Sequence, residues 1–310
     1  MIISRRAHFT KALTMTMAGF ARFRFPTLAA LAVVAALPLT AAAQTPAAPA
    51  SAPQAPRVLP LAPAREKGSS ITPAFEGWYE NADGSFNLLV GYFNRNRSEA
   101  LDIPVGPNNR VEPGPADQGQ PTYFATGRNW GMFAIKVPKD FGAKLLTWTI
   151  VSNGEAQSIP IGLTKGYTIT PFVEAGMGNR PPVFTFAPDG PKFTGPPTAV
   201  AATLTGTVNA PVTIDLWVED PKQTNVGVPS PRAAAGIATV SFHKFRGPGR
   251  VTFEPTRQSV ATQGDKVSTK ATFTVPGEYL LRVQGNDESG EGGAGFQCCW
   301  SNTYVKVSVK

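Results

Sequence analysis

Cys298 and Cys299 are the only cysteines in the chain, and they are adjacent. In an oxidising compartment thiols pair, yet neighbouring Cα atoms lie about 3.8 Å apart, below the usual disulfide range. Several fates are open to the pair: a vicinal disulfide in a distorted turn, two buried thiols, a bridge to another chain, or a redox role. A metal site is the weakest, because no third soft ligand accompanies them. Acidic groups cluster at Asp215, Glu219 and Asp220, and again at Asp287, Glu288 and Glu291. Loop carboxylates suit calcium, so Asp220, Asp287 and Glu288 are its candidate ligands, although neither stretch has EF-hand or repeat-type spacing. Solvated loop charge is the plainer reading, and no other cofactor is expected. Two placed carboxylates would also serve a glycosidase, but the sequence does not place two. Trp78, Tyr79, Trp130 and Trp300 have the chemistry of a sugar- or protein-binding platform, and core packing is the commoner fate of such rings.

His243 alternates with Phe242 and should face solvent or a domain contact. As a general base it would need a nucleophile that the sequence does not identify. The other histidine, His8, lies in the N-terminal segment, so a His-rich zinc site or a two-His, one-carboxylate iron site is excluded from the rest of the chain. Phosphate-binding P-loop, nucleophile-elbow, HExxH and dinucleotide glycine motifs are absent from the sequence.

The 310 residues carry 29 Lys and Arg against 21 Asp and Glu, a formal charge of +8. Five of the basic residues (Arg5, Arg6, Lys11, Arg22 and Arg24) fall within residues 1–43, which contain no acid. The remaining 267 residues have a net charge of +3, ordinary for solubility, and Arg95, Arg97 and Arg110 make at most a small basic patch. Nucleic acid is therefore not an expected partner.

Arg22 and Arg24 precede the apolar run Leu28–Leu37, then Pro38 and Ala41-Ala42-Ala43. This is the order of a secretory signal, with cleavage expected after Ala43. The run is shorter than the ~20 residues that span a bilayer, so no transmembrane helix is expected in the mature chain. Ser4-Arg5-Arg6 fits twin-arginine export poorly, and Met17 would be a more typical start. No Cys follows the cleavage point, which argues against a lipoprotein. Residues 44–70 are assigned to a linker, whose first part is rich in Pro and Ala and too poor in large apolar groups to repay its ordering entropy. Exported placement, in the periplasm, at the cell surface or secreted, follows from this N-terminus.

Beyond the linker no stretch sustains a 3.6-residue apolar period. Short β-branched or aromatic runs recur instead, separated by turn signals such as Ala82-Asp83-Gly84 and Ser152-Asn153-Gly154. Strands are expected over 86–93, 101–105, 122–125, 131–137, 145–151 and 157–161 in a first unit at 71–178, with Trp148 in its core. Pro104, Pro107, Pro113, Pro115 and Pro121 mark a long loop that cannot be a central strand. A second unit at 179–310 offers strands over 201–208, 212–218, 239–245, 250–253, 269–275, 278–284 and 303–309. Each half reads as an antiparallel β-sandwich, so the fold class is all-β.

In the second unit, Val240-Ser-Phe-His-Lys-Phe-Arg-Gly247-Pro248-Gly249-Arg-Val251-Thr-Phe253 and Ala271-Thr-Phe-Thr-Val-Pro276-Gly277-Glu-Tyr279-Leu-Leu-Arg-Val283 stand in sequence. Together they resemble the GPG-turn and PG-x-Y stretches of bacterial PKD-like domains. The resemblance covers roughly residues 181–310, and no family is named for the first unit. It implies a seven-stranded immunoglobulin-like sandwich of a kind found in tandem on secreted and surface proteins. Phe242 stands where that family usually carries a core Trp, and Tyr279 is implied to be a packing residue. Asp220-Pro221 matches the family's acidic loop, while the Glu288–Trp300 loop is longer than its norm. The combined expectation is two immunoglobulin-like sandwiches with a non-catalytic role in adhesion, ligand binding or assembly. Its partner would be a protein or a polysaccharide, met through loops or sheet edges. A carbohydrate-binding module using the exposed rings, and a redox or enzymatic role at Cys298-Cys299, are the alternatives.

Overall fold

A computed structural model describes residues 65–174, 178–221, 237–287 and 298–310, which lie in one compact unit. The first half contains β1 (Ile71–Glu80), β2 (Phe86–Asn94), β3 (Leu101–Asp102), β4 (Asn109–Glu112), β5 (Tyr123–Phe124), β6 (Gly127–Val137), β7 (Leu145–Ser152) and β8 (Glu155–Gly162). The second contains β9 (Val183–Thr185), β10 (Phe193–Thr194), β11 (Val200–Gly206), β12 (Val212–Glu219), β13 (Ala238–Arg246), β14 (Val251–Glu254), β15 (Arg257–Val260), β16 (Asp265–Phe273), β17 (Gly277–Asp287) and β18 (Trp300–Val309). Among the described residues, no helix is long and apolar enough to cross a membrane.

Strand order identifies both halves as immunoglobulin-like. In the first, sheet β1-β2-β6 packs against sheet β4-β7-β8. Lettered A to G along the chain, these are A-B-E and C-F-G, the two sheets of a constant-type immunoglobulin domain without strand D. A separate ribbon pairs β3, which lies between B and C in sequence order, with β5, which lies between C and E. In the second half, β10-β9-β12-β16-β14 faces β11-β18-β17-β13-β15. Its pairs are antiparallel except β11 with β18, the parallel A′–G pairing of an immunoglobulin-type edge.

Period-two patterning builds each core. Leu146, Trp148 and Ile150 are buried on β7, where Trp148 stacks with Phe124 and meets Phe133 edge-on. On β13, Val240 and Phe242 point into the second core, so a phenylalanine fills the place of the implied Trp. The two sequence motifs of this half pack as one object. Tyr279, early on β17, donates its hydroxyl to the Val275 carbonyl at 2.8 Å, which is a tyrosine corner. The Gly247-Pro248-Gly249 turn lies over that ring: a Cβ on Gly247 would overlap Tyr279, and one on Gly277 would come within 2.7 Å of Pro248. Tyr279→Phe is expected to cost about 1 kcal/mol in urea unfolding through the lost hydrogen bond, with the ring left in place.

Five strands were not foreseen in the sequence: β1, β4, β9, β10 and β15. β4 sits among the prolines of the expected long loop and is an edge strand, the position in which flanking prolines are tolerated. Residues 65–70, assigned to the linker, instead belong to the folded part. Arg65 bridges Asn96, and the Ser69 amide donates to Asn96 Oδ1 at 2.7 Å.

Candidate functional site

The two sandwiches meet along β18, β17 and β13, and three irregularities in strand register build the joint. On β1 the pairing runs Phe75 to Val90 and then Gly77 to Leu89, leaving Glu76 as an extra residue. Between β2 and β6 it jumps from Val90–Phe133 to Tyr92–Asn129, leaving Trp130, Gly131 and Met132 against Gly91 alone. On β13 it runs Lys244 to Leu281 and then Arg246 to Leu280, so Phe245 is extra. A bulge re-aims the side chain it carries. Phe245 accordingly leaves its own sandwich and is 1% exposed in the core of the first, with Leu280 and Tyr304 packed beside it.

Glu76 is buried and organises the polar side of the joint. Its carboxylate accepts the Arg128 guanidinium at 2.7 Å and the Gly131 amide at 2.6 Å. Burial pushes its pKa up to about 7, against the pull of Arg128, the Gly131 amide and Arg282. The Gly131 carbonyl accepts Asn302 Nδ2 at 3.0 Å, and its α-carbon faces the Trp300 ring. With φ at +53° and no room for a Cβ, position 131 requires glycine. Arg282, 2% exposed, donates to Asn129 Oδ1 at 3.3 Å, linking β17 to β6. Opposite it on β13, burial and then the Arg282 charge lower His243 to about 3, so the imidazole is neutral. Further bonds stitch the margin: Tyr304 hydroxyl to the Met132 carbonyl at 2.6 Å, Arg246 to Asp117 at 2.7 Å, and Lys244 to Asp102 at 2.7 Å.

Two clefts flank the joint. One, of about 700 Å³, lies between Asn81, Asn87 and Lys136 of the first sandwich and Pro197–Val200 and Tyr304 of the second. The other, of about 670 Å³, lies between Asp102 and Tyr123 of the β3–β5 ribbon and His243, Lys244 and Pro248–Phe253 of the second sandwich. Glu76 lines neither, so its perturbed carboxyl serves packing of the joint.

The residues singled out in the sequence are dispersed. Trp300 is 1% exposed, in a small apolar cluster with Tyr79, Leu89 and Ile169. Tyr79 is buried as well, and its hydroxyl accepts Asn87 Nδ2 at 2.9 Å. Trp78 and Trp130 are half-buried. Trp78 donates Nε1 to the Thr164 carbonyl at 2.8 Å, and Trp130 carries the Arg128 guanidinium 3.8 Å from its ring centre. The four rings do not form one exposed row. Cys298 and Cys299 are buried and bonded to each other as a vicinal disulfide, immediately before β18. Asp220 and Asp287 are buried at the ends of β12 and β17, where Asn179 Nδ2 donates to Asp287. Glu288 and Glu291 lie outside the described residues. Among the described residues, no three His, Cys, Asp or Glu side chains gather as a metal site would need. His243 stands at the contact between the two halves, one of the two places expected for it. Glu76, Arg282 and Phe245 were missed: each interrupts or lies beside an interrupted strand period, and an acid inside an apolar strand was the available signal.

No protein-family model and no curated protein sequence matches the chain. Among solved structures, it is similar to the D00-D0 domain of intimin at 12% identity, covering 77% of this chain and 99% of that one, with a TM-score of 0.23. Domains 4 and 5 of the S-layer protein SbsC are similar at 10% identity over 78% and 98%, TM-score 0.22. The Yersinia pseudotuberculosis adhesin InvE is similar at 10% identity over 77% and 58%, TM-score 0.23. Likenesses this low carry no functional weight; the immunoglobulin-like assignment rests on strand order, and the chain is a pair of such sandwiches sharing one bulge-built joint.

Proposed function

We propose that this is an exported, non-catalytic binding or assembly protein in which two immunoglobulin-like sandwiches act as one rigid body, the second of them of the PKD-like kind. The observation that carries the reading is the use made of the buried ionisable groups. Glu76 and Arg282 are spent on hydrogen bonds and ion pairs at the joint, and the two cysteines are spent on each other. A joint of this kind fixes the separation and orientation of loops on both sandwiches, which suits a receptor or an assembly subunit. The basic, apolar, small-residue order of residues 22–43 supports export to the periplasm or cell surface, with the Pro- and Ala-rich stretch after it as a spacer. Packing of the GPG turn onto Tyr279 supports the PKD-like assignment of the second sandwich.

The chain starting at Gln44 should co-sediment saturably with envelopes isolated from cells of its own source, and unlabelled protein should compete it off. Absence of saturable binding, or release of soluble fragments from the envelope polymers, would contradict the reading.

A further inference from the structure

None of Trp78, Tyr79, Trp130 and Trp300 lines the cleft beside the β3–β5 ribbon. Both sandwiches build it. Asp102 and Tyr123 are direct cross-strand partners on the ribbon, which carries both to the cleft. The opposite wall is His243, Lys244, the Pro248-Gly249 turn and β14. Lys244 is almost fully buried, its ammonium 2.7 Å from the exposed Asp102 carboxylate and 4.9 Å from the Tyr123 ring centre. An ammonium and a carboxylate in contact present a donor and an acceptor side by side with no net charge. His243 lines the same wall, with its Nε2 buried and without a hydrogen-bond partner among the described residues. Exposed Thr252 and Thr256 add hydroxyls at the rim. The volume of about 670 Å³ is that of a small-molecule site.

We infer that this cleft binds a neutral saccharide. Hydroxyl pairs of a sugar ring match the adjacent donor and acceptor of Lys244 and Asp102, and the half-buried Tyr123 offers apolar ring surface to the sugar's C–H face. Arg250 also lines the cleft, which is why acidic glycans are set against neutral ones in the test. The inference rests on the binding role proposed above and names its ligand class. It moves sugar recognition away from Trp78, Tyr79, Trp130 and Trp300.

The test is a glycan array of neutral and acidic oligosaccharides probed with the chain from Gln44, followed by calorimetric titration of the best neutral binder. Tyr123→Ala should weaken that binding about tenfold or more. Thr252→Trp, an exposed rim position that should leave folding intact, should block it, with unchanged circular dichroism as the control. Three results would overturn the assignment: no neutral glycan bound at millimolar concentration, binding indifferent to both variants, or binding of acidic glycans alone that Arg250→Ala abolishes. If envelope co-sedimentation persists while the array is blank, the cleft assignment falls and the binding role stands. If both fail, the binding role falls with it.

Discussion

Phe245→Ala is expected to cost about 3–5 kcal/mol of stability, the range for emptying a fully buried phenylalanine site, and to register the loss in the other half of the chain. Phe245 belongs by sequence to β13 of the second sandwich, but its ring lies in the core formed by Tyr92, Phe124, Phe133 and Trp148 of the first. Its carbonyl also accepts the Thr122 amide at 3.2 Å, across the joint. Removing the ring leaves a cavity where the two sandwiches share one core, so both lose cohesion. Hydrogen exchange should therefore quicken in β2 and β7 as well as in β13. If the joint were only a surface contact, the cost would be within about 1 kcal/mol and exchange would quicken near β13 alone.

The second large effect is a pair of opposed pH dependences. Glu76 has its pKa raised from 4.5 to about 7 in the folded chain, so it favours folding most when protonated. Its contribution is full below pH 4.5 and is lost as pH rises through about 7. His243 has its pKa lowered from 6.5 to about 3, so it favours folding most when neutral. Its contribution is full above pH 6.5 and is lost as pH falls towards 3. Between pH 4.5 and 6.5 the two slopes oppose and largely cancel. Each single variant should unmask the other group. In Glu76→Gln, stability should fall on acidification by about 1.4 kcal/mol per pH unit relative to the parent. In His243→Asn it should rise on acidification by a similar amount. Urea midpoints at pH 4.5, 5.5 and 6.5 measure both, and parallel profiles for the three proteins would contradict the assignment. Asn129 and Arg128 on β6, Arg282 on β17 and Asn302 on β18 face this cluster.

The parts of the fold that were legible in the sequence are those that keep a period of two. Leu146, Trp148 and Ile150 declare a half-buried strand, and Val240 and Phe242 declare another. The GPG turn and the PG-x-Y stretch looked like two motifs; in space they are a single packing unit around Tyr279. The joint was not legible for the same reason that it works. Glu76, Gly131 and Phe245 each stand at a register shift, where alternation no longer says which way a side chain points. For Trp300 and Tyr79 the sequence left a binding platform and core packing both open, because a short run beside loop residues carries no period. Their shared pocket depends on Gly131, more than 160 residues before Trp300, a long-range contact that no local pattern encodes. Asp102 and Tyr123 became a candidate site only through the pairing of β3 with β5, two short strands 20 residues apart.

Differential scanning calorimetry of the chain from Gln44 bears most directly on the claim that the two sandwiches are one unit. A shared core, a buried Glu76–Arg128–Gly131 network and cross-joint ion pairs require a single transition whose van't Hoff and calorimetric enthalpies agree. Two resolved transitions, or a van't Hoff enthalpy near half the calorimetric one, would contradict that claim.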